Sequence, residues 1–110
     1  MPAPEAELAV ALFRVGQVVH HKRFGYRGVI IDVDPVFSGT DAWYEEVAKS
    51  RPPKDQPWYH VLVDGAHHRT YVAERHLAVD GSGQEIVHPE LEDFFDTYDD
   101  GLYRRRQILN

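Results

Sequence analysis

The side chains of this sequence that could do chemistry are seven histidines, two closely spaced aspartates and one short run of cations and aromatics. His20-His21 and His67-His68 are adjacent pairs. Neighbours on a strand point to opposite faces, so the members of one pair do not converge on one ion. No His-x-x-x-His spacing occurs and cysteine is absent, so zinc could be held only by His and carboxylates. No metal site is therefore expected. His60 is, by residue type, a candidate pH-sensitive group, but a half-buried strand imidazole is expected to find hydrogen-bond partners within its own domain. Asp32 and Asp34 stand i, i+2, the spacing of a carboxylate pair on one strand face. A glycosidase-like role would need a pocket and a partly buried acid; a solvated strand face is expected instead. With no Ser-His-Asp pattern and no phosphate loop, no catalytic residue and no cofactor are expected, and the chain is not expected to be an enzyme.

The run from His20 to Arg27 is different in kind. Lys22, Arg23 and Arg27 could contact phosphates, while Phe24 and Tyr26 could stack on a base. Telling a methylated adenine from an unmethylated one needs a major-groove contact or a flipped base in an aromatic pocket, and no stretch of the sequence identifies such a pocket. The bland alternative is a solvated basic loop. The overall charge of −6 does not favour DNA, which is usually met by a basic domain. Its distribution is uneven. From Arg14 to Gly81 nine bases balance nine acids; from Glu85 to Asp100 there are seven acids and no Lys or Arg; Arg104, Arg105 and Arg106 follow as a block. The expectation is a neutral body with an acidic arm that repels phosphates.

The elements that must position these residues are read from periodicity. Pro57 to Val63 is a strand apolar on both faces, which places it inside a sheet rather than at its edge. Asp64-Gly65 is the dipeptide of a two-residue primed turn, leading to a returning strand over His67 to Val72. Gly28 to Asp34 alternates, with Val29, Ile31 and Val33 on one face and Ile30, Asp32 and Asp34 on the other. Val15 to His20 and Leu77 to Val79 are shorter extended pieces, and Glu85 to Val87 is read as a last one. Thr40 is a fair N-cap for a short helix over Asp41 to Lys49. Pro89 starts a second helix, whose Leu91, Phe94, Phe95 and Tyr98 fall at i, i+3, i+4, i+7. That stripe either packs on the body or is offered to a partner, with Leu91, Phe94 and Phe95 as the contact residues.

One domain is all that 110 residues allow. The fold expected is mainly β: a small SH3-like, partly open antiparallel β-barrel with a short helical insertion and a C-terminal helix, an α+β roll being the alternative. Residues 1–12 are read as a flexible N-terminus, with at most a helical turn at Leu8 to Leu12. Residues 13–97 form the barrel with its helix, and 98–110 a charged tail. No stretch is long and apolar enough for a membrane span, and the N-terminus lacks the basic start of a signal peptide, so a soluble cytoplasmic protein is expected.

Several motifs resemble the YccV-type family, named for hemimethylated DNA binding and including heat-shock protein Q. Phe13-Arg14-Val15-Gly16-Gln17-Val18-Val19-His20-His21 resembles its opening. Gly25-Tyr26-Arg27-Gly28, the strand to Asp34-Pro35, Pro57-Trp58-Tyr59-His60-Val61-Leu62-Val63, Thr70-Tyr71-Val72-Ala73-Glu74, Leu77 and His88-Pro89 follow in the same order. The resemblance spans Phe13 to Phe95, its motif residues being Gly16, Gly25, Gly28, Asp34, Pro35, Pro57, Trp58, Tyr59, His60, Tyr71 and Glu74. The short hairpin after Asp64 and the extension from Asp99 to Asn110 depart from parts of the family. The resemblance implies a barrel without catalytic activity that serves as a specificity factor or adaptor for ATP-dependent, Lon-type proteolysis, its partners the protease and its substrates. Hemimethylated DNA binding is the alternative it implies. A purely structural homo-oligomer is a third reading.

Overall fold

The computed structural model describes residues 10–106. Most of the N-terminal segment and the last four residues of the expected tail lie outside the described residues. Among the described residues seven strands form in chain order: β1 (Val18–His21), β2 (Arg27–Asp34), β3 (Trp58–Val63), β4 (Arg69–Ala73), β5 (Leu77–Val79), β6 (Phe95–Asp99) and β7 (Leu102–Arg105). The first five make one antiparallel sheet in the order β4-β3-β2-β1-β5, and β6 and β7 pair as a separate hairpin. This is the expected mainly β, SH3-like plan; the sheet does not close into a barrel. As the apolar run predicts, β3 lies inside the sheet, and Trp58, Tyr59, Val61 and Leu62 are fully buried.

Both faces of the sheet are covered, which is why β2 and β3 are apolar on both sides. One face, here the inner one, collects Val19, Ile30, Tyr59, Val61, Val72 and Leu77, so all five strands contribute to it. The other buries Val18, Val29, Ile31 and Leu62 under Ile86, Phe95 and Tyr103. A third cluster joins Trp58 and Ala73 to Tyr44 and Ala48 of the long connection. Each such aliphatic or aromatic side chain contributes roughly 1.5–3 kcal/mol on burial.

The simple alternation expected for β2 is interrupted. Its pairing with β3 runs Ile30↔Val61 and then Asp32↔His60, leaving Ile31 as an unpaired bulge residue. The extra residue reverses the phase, so Val33 packs with Ile30 on the inner face, not with Val29 and Ile31. Asp32 and Asp34 thereby face the side of the sheet that carries His60 and Trp58.

The turn after Val63 is also longer than the two-residue primed turn expected. It spans residues 64–68, and of its first two residues only Gly65 has a positive φ. Tertiary contacts hold it: Asp64 Oδ1 accepts from the Val87 amide at 2.7 Å, and the Gly65 amide donates to the Val87 carbonyl at 2.8 Å. Residues 85–87, expected as an extended strand, instead form this irregular strap.

The largest correction is at the C-terminus. The expected helix over 89–98 is one turn, α2 (Leu91–Phe94), after which the chain becomes strand β6. Strand β7 returns through Gly101, so residues 98–105 are hairpin, not tail. The hairpin docks through backbone hydrogen bonds, Tyr103 N to Gly16 O at 2.6 Å and Val18 N to Gly101 O at 3.0 Å. Gly16 permits this approach: its φ is +93°, and an added Cβ would lie 2.0 Å from the Tyr103 carbonyl oxygen. Phe95 is core, with Leu91 and Phe94 packed against it, so the expected contact stripe covers the protein's own sheet. Nor is the acidic stretch a free arm. Glu90 pairs with Arg69, Asp96 with Arg106, and β6 lies beside the arginines of β7.

The long connection behaves as expected at its start. Thr40 Oγ1 accepts from the Trp43 amide at 3.0 Å and caps α1 (Asp41–Val47). Tyr44 is held by donating its hydroxyl to the Pro52 carbonyl at 2.6 Å.

Candidate recognition groove

A groove of about 630 Å³ lies along β4, between α1 with the residues after it and the turn that joins β1 to β2. The turn is built around His21. The His21 amide donates to the Tyr26 carbonyl at 2.8 Å, and the Gly25 amide to the His21 carbonyl at 2.8 Å. The ring's Nδ1 accepts from the amides of Arg23 at 3.1 Å and Phe24 at 3.0 Å. Two N–H donors on one imidazole nitrogen require that nitrogen to be unprotonated. His21 is also sandwiched: it stacks on Phe24 at 4.6 Å and on His76 at 5.4 Å between centroids. Burial, then the proximity of His76 and Arg23, lowers its pKa below the ordinary histidine value. His76 is lowered likewise by burial and by Arg75, Arg23 and Lys22, and its Nε2 lies 2.8 Å from Ser50 Oγ.

The turn thus positions Phe24 against His21 while leaving the residue 72 % exposed, with the Arg23 guanidinium 5.7 Å from its ring centre. Tyr26 ties the turn to β4 by a 2.8 Å hydroxyl contact with Thr70, and burial raises its pKa.

The opposite wall is aromatic. Tyr71 contacts Trp58, Trp43 and His60, with ring centroids 5.2, 5.7 and 4.5 Å away. Behind it, Asp34 Oδ2 accepts from the Tyr71 hydroxyl at 2.7 Å and lies 3.0 Å from His60 Nε2. Burial and this bond to the carboxylate push the Tyr71 pKa up to about 12, so the hydroxyl stays a donor. The expected partner for His60 is therefore found, in Asp34.

The structure separates the residues singled out for nucleic acid. Arg23, Phe24 and Tyr26 line the groove, whereas Lys22 does not. Arg27 points elsewhere: its guanidinium bonds Asp64 at 3.0 Å, Asp80 at 3.1 Å and the Gln84 carbonyl, and it is only 19 % exposed. It is a structural cation clamping the 64–68 turn and the strap to β2, and its charge is already neutralised. Of the motif residues, Trp58, His60 and Tyr71 line the groove and Asp34 anchors two of them. Tyr59 and Glu74 lie on the inner side, where the Tyr59 hydroxyl donates to Glu74 and accepts from the Phe13 amide.

Trp43, Lys49, Arg69 and His76 also line the groove and were not singled out from sequence. Trp43 carried a signal, as an aromatic on a helical insertion; the others are brought in only by chain crossing. Among the described residues, Asp32, Asp34 and His60 form the one group of ligand type, with donor atoms within 4.8 Å of one another. The Asp34 oxygen is already engaged by His60 and Tyr71, and Asp32 Oδ1 accepts from the Val33 amide. Those partners explain the arrangement as a hydrogen-bond network. No described helix is long and apolar enough to cross a membrane.

The chain is thus a small antiparallel β-domain, SH3-like in plan, with an aromatic groove along an edge strand. The sequence model of the family described as hemimethylated DNA-binding protein YccV like matches residues 11–102. The chain belongs to this YccV-like family.

Proposed function

We propose that this chain is a non-catalytic recognition module that binds polypeptide in the β4 groove and acts, as heat-shock protein Q does, as a specificity factor for an ATP-dependent, Lon-type protease. The observation that carries this reading is the groove itself. Its size and aromatic walls suit side chains of an unfolded substrate, which expose apolar groups that a folded protein buries. The loss of Arg27 from the basic face weakens the competing case for a phosphate surface. A reconstituted degradation assay tests the proposal: a purified Lon-type protease, ATP and a fluorescent unfolded reporter, with and without this protein. Acceleration that disappears with Phe24→Ala or Trp43→Ala is expected. No acceleration, or acceleration indifferent to both changes, overturns it.

Hemimethylated DNA is the second reading, favoured by the family's description and by an exposed Phe24 flanked by Lys22 and Arg23. On that reading log K against log salt should have a slope of roughly −0.9 per phosphate neutralised. Replacing Lys22 and Arg23 with Ala should then flatten it by about two units by the same rule. Equal affinity for hemimethylated and unmethylated duplexes would remove this reading.

A further inference from the structure

Strand β4 ends its sheet, and no described strand pairs with its outer side. In an antiparallel ladder, alternate residues bond to the neighbour and those between point outward. The bonds from Val63 N to His68 O and from Glu74 N to Pro57 O fix which are which. His68, Thr70, Val72 and Glu74 face β3. Arg69, Tyr71 and Ala73 therefore aim their N–H and C=O groups away from the sheet. Ala73 is buried beside Tyr44 and Ala48, but Arg69 is exposed and Tyr71 only half-buried.

The groove runs along this edge, and every residue of β4 lines it. Residues from both faces of β4 take part, so the groove wraps around the edge. On the inner side it is bounded by His21, Tyr26 and His76; on the outer by Trp43, Trp58 and His60. A chain laid against β4 would turn its alternate side chains toward these two sides of the edge.

The charge is one-sided as well. Among the described residues Arg23, Lys49 and Arg69 line the groove and no Asp or Glu does, in a chain of net charge −6. Arg69 is paired with Glu90, but Arg23 and Lys49 form no ion pair among the described residues. The Asp34 carboxylate behind the wall is engaged by His60 and Tyr71.

We propose that the groove captures an extended, unfolded segment as an added strand on β4, through main-chain hydrogen bonds at Arg69 and Tyr71. It selects segments in which aromatic or aliphatic side chains alternate with carboxylates. Strand addition draws affinity from the main chain and specificity from pockets for alternate side chains. The proposal rests on the polypeptide reading above and specifies its chemistry. Main-chain capture suits a specificity factor, because it accepts many sequences, while the cations exclude basic ones.

The test uses the full chain and a labelled synthetic peptide of about ten residues alternating Glu with Phe or Val, the length an edge strand of this kind can engage. Two N-methylated versions carry methyl groups on alternate amides, in the two opposite phases. Each blocks one edge of the peptide and leaves its side chains unchanged. Fluorescence anisotropy should show binding of the parent, loss of about tenfold or more for one phase only, and weaker binding when Glu is replaced by Lys, in line with one or two lost main-chain bonds. Equal binding of both methylated phases would overturn strand addition while leaving the groove a polypeptide site. Equal binding of the Lys peptide would overturn the charge selection. If no peptide binds while a hemimethylated duplex does, the inference and the polypeptide reading fall together.

Discussion

Replacing Arg27 with Gln should damage the fold rather than a phosphate contact. Arg27→Gln keeps most of the side chain's bulk but removes the charge that faces Asp64 and Asp80 at 3.0 and 3.1 Å. Asp64 would retain the Val87 amide as a donor and Asp80 the hydroxyl and backbone N–H of Ser82, in places 26 % and 11 % exposed. Charge-assisted hydrogen bonds contribute about 1.5–3 kcal/mol each, and removing one partner of a buried pair costs about 3–5 kcal/mol. Partial exposure of this site lowers the second figure, so a loss of about 2–4 kcal/mol is expected. In a domain of this size that corresponds to a fall in Tm of roughly 10–20 °C. The loss should also depend on pH. Burial opposes ionisation of Asp80, but hydrogen bonds from Ser82 and Arg27 outweigh it and hold the carboxyl below its ordinary value of 3.8. A depressed folded pKa stabilises the fold above the unfolded value and ceases to do so as pH falls through the folded one. The gap between wild type and Arg27→Gln should therefore narrow below about pH 4 by the same linkage. Urea unfolding across a pH series would measure it. A loss below about 0.5 kcal/mol at pH 7, the range of ordinary surface changes, would refute the structural role assigned to Arg27.

Three further outcomes are expected. Gly28→Val should destabilise by a few kcal/mol, because a Cβ there would lie 2.4 Å from Val61 Cγ1 and 2.5 Å from the Leu62 carbonyl oxygen; its φ is not the cause, and superimposable melts of the two proteins would contradict this. The His21 imidazole should titrate below 6.5 by NMR, so that the unfolded chain binds the extra proton first and stability declines as pH drops beneath that value; a higher midpoint would undo the account of the turn. A chain ending at Gly83 lacks Ile86, Phe95 and Tyr103 and should lose its cooperative thermal transition, whereas retention of a sharp melt would show that the hairpin is dispensable.

What could be read from the residues alone was mostly local. The two-faced apolar run at Trp58–Val63 declared an interior strand, and Thr40 declared a helix start, because burial periodicity and capping act within a few residues. The basic and aromatic types at Arg23, Phe24 and Tyr26 marked one wall of the groove for the same reason. Other features had no local signature. The bulge at Ile31 exists only against a partner strand, and its phase reversal is what brings Asp34 to His60 and Tyr71. The spacing of Leu91, Phe94, Phe95 and Tyr98 suits a helix, yet the sheet's exposed apolar face and the main-chain partners at Gly16 and Val18 favour a hairpin there. Tertiary packing outweighs helix propensities that amount to tenths of a kcal/mol per residue. Arg27 was indistinguishable in sequence from Arg23; only the crossing of residues 64 and 80 near it made one a clamp and left the other on the groove. The groove itself is a property of where the sheet ends, and strand order is decided by long-range pairing that no short stretch encodes.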